Sequence, residues 1–396
     1  MDTNYRISSI DIMKGLTLVL LLIANDLYTP GVQVWLTNTV SNIDSMNLAD
    51  WVFPAFLFMI GMAIPFSIGN KISEKQDTFS IAKHIIGKTI SFLVIGVLML
   101  NSDRVNSEIT GMSKNLWTIL MYVGVFLVWN KYTESDKNFF TLSALRLAGV
   151  AILVALVLKF NSGEIENNGS LITGSWGIFG IIGWGYLIAA FVYLAVRNSI
   201  LNTVVAIFFF LAFNILSSLN LLNSINIVKP IFGVIIEGSV PIFVLSGVFT
   251  TLLLEKYSKS NYMKTILTIA SIGVMSILAG IVLRNLLIVA KIQPTPGWVL
   301  ICVGISMLLF SLIYWIIDIK KHINWAFFLK PAGENSFTTY ITASVLYCLI
   351  SLTGIPILIY KQSGVPLLVI GGSLIWALVS VGLTSILARY NVRLKI

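Results

Sequence analysis

Long runs of apolar residues alternate with short polar segments along the whole chain. A helix needs roughly 20 predominantly apolar residues to cross the hydrocarbon core of a bilayer. Runs near that length lie at 11–28, 48–69, 84–101, 115–130, 141–160, 174–196, 200–220, 231–254, 264–290, 297–319, 336–353 and 364–388. The pattern predicts an all-α polytopic membrane helix bundle of about 12 (11–12) transmembrane helices, in which 200–220 and 264–290 have the least defined ends. Because no polar stretch is long enough for a soluble domain, residues 1–396 are expected to form a single transmembrane domain.

Composition and charge agree with a membrane bundle. Hydrophobic residues make up 57% of the chain and charged residues 11%, a balance that excludes ordinary soluble domains. The net charge of +9 comes from Lys and Arg residues spread between the apolar runs, so nucleic acid is not an expected partner. Most of the 26 basic residues fall on the polar segments that share the side of the N-terminus. The positive-inside rule therefore predicts that both termini are cytoplasmic.

Tryptophan and cysteine add little chemistry. Trp117, Trp129 and Trp298 lie near the ends of apolar runs, which favours an interfacial belt. Cys302 and Cys348 lie inside apolar runs without the spacing of a metal site, so they are expected to be small packing residues and no metal is expected.

Polar residues gather at the outer ends of the first two runs. Asn25 and Asp26 close the first run, Asp50 opens the second, and Asn38 lies in the loop between them. An ionisable residue in or beside a membrane span is a functional candidate by default, because its burial is expensive. These side chains predict a site at the outer end of one helical hairpin.

Other charges near the runs have competing interpretations. Glu237 and Arg284 lie in the outer halves of two runs, where they either neutralise each other or serve a site. Asp318 is expected to be an ordinary interfacial charge. The two histidines, His84 and His322, lie beside lysines on the cytoplasmic side and are expected to be solvated loop residues.

The cytoplasmic side carries a second candidate site. Asp11 and Lys14 are spaced as an i, i+3 pair at a helix start, which suits either a structural or a functional role. Residues 330–336 form a Pro/Gly turn in which Asn335 or Ser336 is a plausible N-cap, and free amides beyond it suit a phosphate. The candidate residues for a phosphorylated cofactor are Arg6, Asp11, Lys14, Lys88, Lys330, Asn335 and Ser336.

Several of these segments together resemble a known family. Residues 6–15 (RISSIDIMKG), 24–26 (AND) and 48–61 (LADWVFPAFLFMIG) are similar to the opening of the transmembrane heparan-α-glucosaminide N-acetyltransferase family, which includes the bacterial NagX-like acyltransferases. Residues 176–184 (WGIFGIIGW), 295–298 (TPGW) and 331–336 (PAGENS) extend the resemblance over most of the chain. The first hairpin is the specific part, and the later segments are moderate.

The resemblance implies a function and its site residues. It implies an enzyme, often a homodimer, that uses cytoplasmic acetyl-CoA to N-acetylate glucosamine or a related amino sugar across the bacterial inner membrane. Asn25 matches the asparagine that the family places near its chemistry, and Lys14 stands where arginine is usual. By its spacing from Trp35, Asn38 takes the place of the catalytic histidine, and asparagine cannot accept a proton at neutral pH. A carboxylate with a pKa raised by burial would serve as the base, with Asp26, Asp50 and Glu237 as candidates.

Two other functions stay open at this point. A transporter or binding protein for amino sugars that lacks acetyl transfer would explain the missing histidine. An O-acetyltransferase acting on a cell-envelope glycan would keep the enzyme and change the acceptor. The candidate catalytic residues are in all cases Asn25, Asp26, Asn38, Asp50 and Glu237.

Overall fold

A computed structural model describes residues 7–40, 43–132, 139–165, 168–174, 176–257 and 261–395. The described chain is helical, and its one isolated β-bridge joins Asn130 to Leu394. The longer helices are α1 (Ser8–Asp26), α2 (Val52–Ser73), α3 (Thr78–Ser102), α4 (Lys114–Trp129), α5 (Phe139–Lys159), α6 (Gly177–Val196), α7 (Ile200–Ser218), α8 (Ser239–Tyr257), α9 (Tyr262–Leu283), α10 (Pro296–Tyr314), α11 (Ser336–Thr353) and α12 (Pro366–Arg389).

The prediction of an all-α membrane bundle is confirmed. Within the described residues, eleven helices are long and apolar enough to cross a membrane. The remaining long helix, α4, is apolar but has 16 residues. The chain is therefore a multi-pass membrane protein, and the number of candidate transmembrane helices agrees with the predicted 11–12.

Two of the predicted runs are broken. The run 231–254 divides into a short helix, Lys229–Ile236, and α8, with Glu237 and Gly238 between them. Gly238 has a φ of 72°, and an added Cβ there would lie 2.4 Å from the Phe210 carbonyl oxygen, so only glycine suits this turn. The run 264–290 ends as a helix at Leu283. Other short elements are the helices Ser107–Thr110 and Lys330–Glu334, the 3₁₀ turns Thr29–Gly31, Val34–Leu36, Leu48–Trp51, Asn223–Val228, Asn324–Leu329 and Ile359–Gln362, and the π turn Trp315–Ile319.

The helices divide into a buried centre and a periphery. Nearly every side chain of α8 is buried, and so are most of those in the first half of α2. In contrast, α5, α7 and α9 bury few of their apolar side chains, and Leu158, Val205 and Val282 are exposed. A helix that is apolar on its exposed face as well as its packed face suits a lipid environment.

Two of the tryptophans expected in an interfacial belt lie in the core. Trp117 is fully buried, and Trp298 is 4% exposed. The belt prediction is wrong for both, because a position near the end of a helix says nothing about which face the side chain occupies. Trp129 is half-buried. Cys302 is buried, as expected of a packing residue, and Cys348 is half-buried.

Glycines bring the central helices into backbone contact. An added Cβ at Gly61 of α2 would lie 1.8 Å from the Val244 carbonyl oxygen of α8. An added Cβ at Gly247 of α8 would lie 2.0 Å from the Phe58 carbonyl oxygen of α2. Small residues at such crossings are typical of membrane helices, which associate through close packing because lipid supplies no hydrophobic driving force.

Both described chain ends lie at one end of the bundle. The Asp318 carboxylate accepts hydrogen bonds from the amides of Ser8 (3.2 Å) and Ser9 (2.9 Å), at the start of α1. The Leu394 amide donates to Thr338 Oγ1 (3.0 Å) near the start of α11. Asp318 is therefore not an ordinary interfacial charge: it caps the first helix, where a carboxylate also suits the helix dipole. That this end faces the cytoplasm stays a prediction.

We expect Gly61→Ala to destabilise the bundle, since the added methyl group would meet backbone that cannot move aside. Overpacking of this kind costs about 1–3 kcal/mol. The matched control is Gly382→Ala in α12, where an added Cβ meets nothing within 4 Å. Thermal unfolding in detergent should give a lower midpoint for Gly61→Ala alone. Equal midpoints for the two variants would contradict the backbone contact.

Candidate functional site

Two of the predicted segments meet at the end of the bundle that holds both chain ends. Gly15 of α1 faces the Leu329 carbonyl oxygen, 2.1 Å from its would-be Cβ. Gly333 faces the Asp11 carbonyl oxygen, 1.8 Å from its would-be Cβ. The start of α1 and the segment 329–333 therefore pack backbone to backbone at Gly15 and Gly333. This contact brings Asp11 and Lys14 close to Lys330–Ser336, as the cofactor-site prediction requires.

Residues 330–336 differ in detail from the predicted turn. Lys330–Glu334 forms a short helix with Pro331 in its first turn, and α11 begins directly at Ser336. Asn335 occupies the N-cap position, but its Oδ1 accepts no capping bond, and its Nδ2 donates to the Pro331 carbonyl oxygen (3.2 Å). Ser336 is buried and donates to the Gly333 carbonyl oxygen (3.3 Å). The predicted side-chain cap is therefore wrong, and both side chains fix the short helix.

Four lysines form a cluster at the same end: Lys14, Lys71, Lys88 and Lys395. The first, second and fourth lie close enough for their charges to act on the half-buried Lys88 ammonium. The ammonium groups of Lys14 and Lys88 lie over the rings of Phe337 (5.8 Å) and Tyr186 (5.4 Å). Like charges held together favour an anionic ligand. We call this group the lysine cluster.

The remaining residues of this end complete the comparison with the prediction. His84 lies in α3, half-buried and near Lys71, Lys88 and Lys395, and so is not the solvated loop residue that was expected. His322 is exposed, as predicted. Arg6 lies outside the described residues.

Aromatic rings connect the lysine cluster with the predicted asparagine. Phe337, beneath the Lys14 ammonium, contacts Phe179 at 5.4 Å between ring centroids, and Phe179 contacts Tyr340 at 5.8 Å. The Tyr340 hydroxyl is hydrogen-bonded to Asn25. A row of rings from α11 and α6 thus extends from the lysine cluster to Asn25.

Asp26 is held in a separate cluster that the sequence did not indicate. This buried carboxylate accepts a hydrogen bond from the Tyr360 hydroxyl (2.8 Å) and pairs with the Lys361 ammonium (3.0 Å). Both partners come from the 3₁₀ turn between α11 and α12. The same lysine lies 4.2 Å from the Tyr347 ring centroid. With both oxygens so engaged, Asp26 is poorly placed to serve as a base.

Asp50 anchors the loop between α1 and α2. Its carboxylate is fully buried and accepts hydrogen bonds from the Thr39 amide (3.0 Å), the Thr39 hydroxyl (2.6 Å) and the Asn47 amide (2.7 Å). Lys291 adds an ion pair at 3.2 Å and also donates to Asn38 Oδ1. Asn38 and Asp50 therefore share one lysine. The geometry favours a positioning role for Asp50, since its lone pairs are used within the protein.

The Lys291 side chain also lines a cavity of about 290 Å³. Its lining includes Glu237, Trp176 and Trp298. Burial raises the pKa of the Glu237 carboxyl above its ordinary value, and the Lys229 ammonium opposes that effect in part. The Trp298 indole N–H is buried and has no hydrogen-bond partner within the described residues. We call this the Glu237 cavity; it combines an acid, a cation and a spare donor.

Arg284 does not neutralise Glu237. Its guanidinium pairs with Asp44 (2.9 Å), and the Val289 amide donates to the same carboxylate (2.8 Å). These two contacts hold the pKa of the Asp44 carboxyl below its ordinary value. The predicted Glu237–Arg284 pair is therefore wrong, because Arg284 forms its ion pair with Asp44 of the loop between α1 and α2.

A second cavity lies beside the first. It has a volume of about 520 Å³ and is lined by polar side chains that include Tyr340, Tyr347, Asn115, Ser344 and Asp103. Trp176 lines the Glu237 cavity, while the next residue, Gly177, lines this one. We call it the Tyr340 cavity. Asn25 is connected to the Tyr340 cavity by its hydrogen bond with Tyr340, which lines that cavity.

The predicted catalytic residues thus separate into two sets. Asn38, Asp50 and Glu237 surround or support the Glu237 cavity through Lys291, whereas Asn25 and Asp26 lie with Tyr340 and with Tyr360 and Lys361. Sequence reasoning missed Lys291, Lys361 and Trp298. The segment 295–298 was a signal for Trp298, but neither lysine has a local pattern that distinguishes it from other loop lysines.

We expect Lys291→Met to loosen the loop between α1 and α2, since Asp50 would keep a buried charge without its ion pair. The cost should be about 1–3 kcal/mol, below that of a fully buried pair because the lysine is partly exposed. Lys229→Met, at another lysine of the same cavity, is the matched control. Hydrogen exchange of residues 37–50 is the measurement. Unchanged exchange in Lys291→Met, or an equal increase in the control, would contradict the anchoring role.

Comparison with known proteins supplies a family without a function. No curated protein matches the chain. A family model described as a domain of unknown function (DUF5009) matches residues 6–228, which is more than half of the chain. The match includes Asn25, Asn38 and Asp50, while Glu237 and Lys291 lie beyond it. The chain belongs to the DUF5009 family.

Proposed function

We propose that this protein is an acetyl-CoA-dependent N-acetyltransferase of the bacterial inner membrane. Its acceptor would be glucosamine or a related amino sugar on the extracytoplasmic side. The observation that carries the proposal is the Glu237 cavity, whose lining includes Glu237, Lys291 and Trp298, the last with a buried indole N–H that has no hydrogen-bond partner within the described residues. Acyl transfer to an amine needs a base, which Glu237 would provide, and hydrogen-bond donors to the oxyanion, which Lys291 and Trp298 would provide.

The lysine cluster would bind the donor. Coenzyme A carries several phosphate charges, and the positive charges of Lys14, Lys71 and Lys395 act on the Lys88 ammonium, so an anion bound among these lysines would be attracted by all of them. Lys330, at the start of the adjoining short helix, would add a further charge. Asp11, Asn335 and Ser336 would act indirectly, by holding the backbone that surrounds the cluster, and Arg6 remains a candidate from the sequence alone.

The acetyl group would react where the two cavities adjoin. The aromatic rings lead from the lysine cluster to Asn25 and the Tyr340 cavity, and the Glu237 cavity lies on the other side of Trp176 and Gly177. The size of the Glu237 cavity is at the lower end of small-molecule sites, about 300 Å³, which suits one sugar ring. Trp176 and Trp298 would offer it apolar faces.

The chemistry balances with the groups present. The acceptor amine attacks the thioester carbonyl carbon, a C–N bond forms, and the C–S bond breaks to release the coenzyme A thiolate. Glu237 would take the proton that the amine loses and return it to the thiolate or to water. The Lys291 ammonium and the Trp298 N–H would donate to the oxyanion as it forms. Asn38 and Asp50 would orient Lys291.

Transfer in proteoliposomes tests the proposal. Labelled acetyl-CoA is supplied on one side and glucosamine on the other, and labelled N-acetylglucosamine is measured. We expect transfer by the wild type and a loss of about 100-fold or more in Glu237→Gln, the usual range for a general base. Glu108→Gln, at an exposed glutamate in the short helix Ser107–Thr110, is the control.

Other outcomes decide between functions. Uptake of glucosamine without acetyl-CoA, and without product, would replace the proposal with a transporter. Loss of O-acetyl groups from the envelope glycans of a deletion strain would instead indicate an O-acetyltransferase. Absence of both transfer and coenzyme A binding would refute the enzyme altogether.

The pH dependence of the rate should report Glu237. Because the base must be ionised, the rate should fall as the pH falls through the raised pKa of this carboxyl. Histidine titrates in a similar range, so the control is the variant His84→Asn/His322→Asn, which removes both histidines of the chain. We expect that variant to keep the acidic limb. A limb that disappears with the histidines would contradict the role of Glu237.

A further inference from the structure

An apolar groove shares no lining residue with the Glu237 cavity. It runs between α4, α5, α11 and α12 and has a volume of about 600 Å³. Its walls are mainly aliphatic, with Val123, Leu127, Leu346 and Leu383 among them. Because α5 is largely exposed, this groove is at the periphery of the bundle, where lipid would surround it.

The length of the groove suits one acyl chain. Its lining on α4 extends from Ile119 to Asn130. At the helical rise of 1.5 Å per residue these positions are about 16 Å apart. The hydrocarbon core of a bilayer is roughly 30 Å thick, so the groove spans about one leaflet. A free phosphate or other small anion would not account for an apolar space of this length.

Cationic and polar groups gather at one end of the groove. Asn130 and Tyr132 line that end, and the Arg146 guanidinium lies over the Tyr132 ring at 5.7 Å. The Arg393 amide donates to Asn130 Oδ1 (2.8 Å), and the Lys131 amide donates to the Arg393 carbonyl oxygen (2.9 Å). Two arginines and a lysine therefore belong to the segments that meet at the polar end of an otherwise apolar groove.

Arg393 has an unmet hydrogen-bonding need. Its Nε atom is buried and has no partner within the described part of the chain. A buried cationic donor without a partner costs free energy, and an anion beside it recovers that cost. Val392, the neighbouring residue, lines the groove. The Arg393 backbone amide bonds to Asn130, which also lines the groove, so Arg393 belongs to the segment at its polar end.

We propose that the groove is a specific site for one anionic glycerophospholipid. An acyl chain occupies the space between α4, α11 and α12, and the phosphate accepts from Arg393 and lies near Arg146. The pairing is one of charge: basic residues at a membrane surface attract anionic lipids by about 1 kcal/mol each. The groove opens at the end of the bundle that holds Leu394 and the lysine cluster, so the lipid belongs to that leaflet.

Lipid retention by the full-length protein tests the site. The protein is equilibrated in mixed micelles of detergent with either phosphatidylglycerol or phosphatidylcholine of matched chains, and bound lipid is counted by native mass spectrometry. We expect preferential retention of phosphatidylglycerol by the wild type. Arg393→Gln should reduce that retention about fivefold, the change that corresponds to about 1 kcal/mol. The matched control is Lys264→Gln, which removes a positive charge near Tyr257 and away from the groove.

A second variant separates the chain site from the headgroup site. Leu383→Trp keeps both arginines and narrows the groove, and it should reduce retention of phosphatidylglycerol while the thermal unfolding midpoint verifies folding. Equal retention of the two lipids by the wild type would overturn the proposal, as would an equal effect of Arg393→Gln and Lys264→Gln. If Leu383→Trp converts a dimer to a monomer and leaves lipid retention unchanged, a second copy of the chain occupies the groove and the proposal is wrong.

Discussion

Close contact between helix backbones at glycine sets the positions of the functional groups. Gly15 and Gly333 let the start of α1 meet the short helix Lys330–Glu334, and Gly61 and Gly247 let α2 meet α8. In a bilayer, packing at this distance replaces the hydrophobic driving force that holds soluble helices together. The first contact assembles the lysine cluster beside Phe337, and the second fixes the floor of the Glu237 cavity, where Phe53, Leu57 and Phe243 lie. A side chain at any of these glycines would separate the elements that carry the charges.

The need to satisfy buried charge then decides which carboxylates remain available. Asp26 is held by Tyr360 and Lys361, and Asp50 by Lys291 and two backbone amides. These pairings leave Glu237 as the candidate base whose environment is defined mainly by burial. The same pairings hold Lys291 in place where it lines the cavity, because Asp50 and Asn38 both bind its ammonium group.

The helices could be predicted from the sequence, whereas the pairings could not. A run of about 20 apolar residues is enough to indicate a membrane-spanning helix without knowledge of the rest of the chain. The sequence therefore predicts the eleven or twelve helices. The partner of each charged side chain, in contrast, depends on which distant segments pack together. Asp318 caps α1 from more than 300 residues away, and Arg284 takes Asp44 rather than Glu237, and neither choice leaves a local signal. The polar residues near the apolar runs indicated Asn25 and the segment 330–336, but nothing in the sequence indicated Lys291, which lies in a loop without a local pattern.

The turn at Trp176 and Gly177, which each line one of the two cavities, has an unusual backbone conformation. Trp176 has a φ of 66°, a conformation that is unfavourable for a bulky residue, and Gly177 follows with a φ of 62°. Such a backbone costs about 1–3 kcal/mol and persists only where the surroundings hold it. The Trp176 indole donates to the Ile231 carbonyl oxygen (3.0 Å), and its ring packs against Trp184 at 5.7 Å. These contacts hold the turn, so Trp176 lines the Glu237 cavity and Gly177 lines the Tyr340 cavity from fixed positions, and a reaction where the two cavities adjoin would depend on how this turn places its substrates.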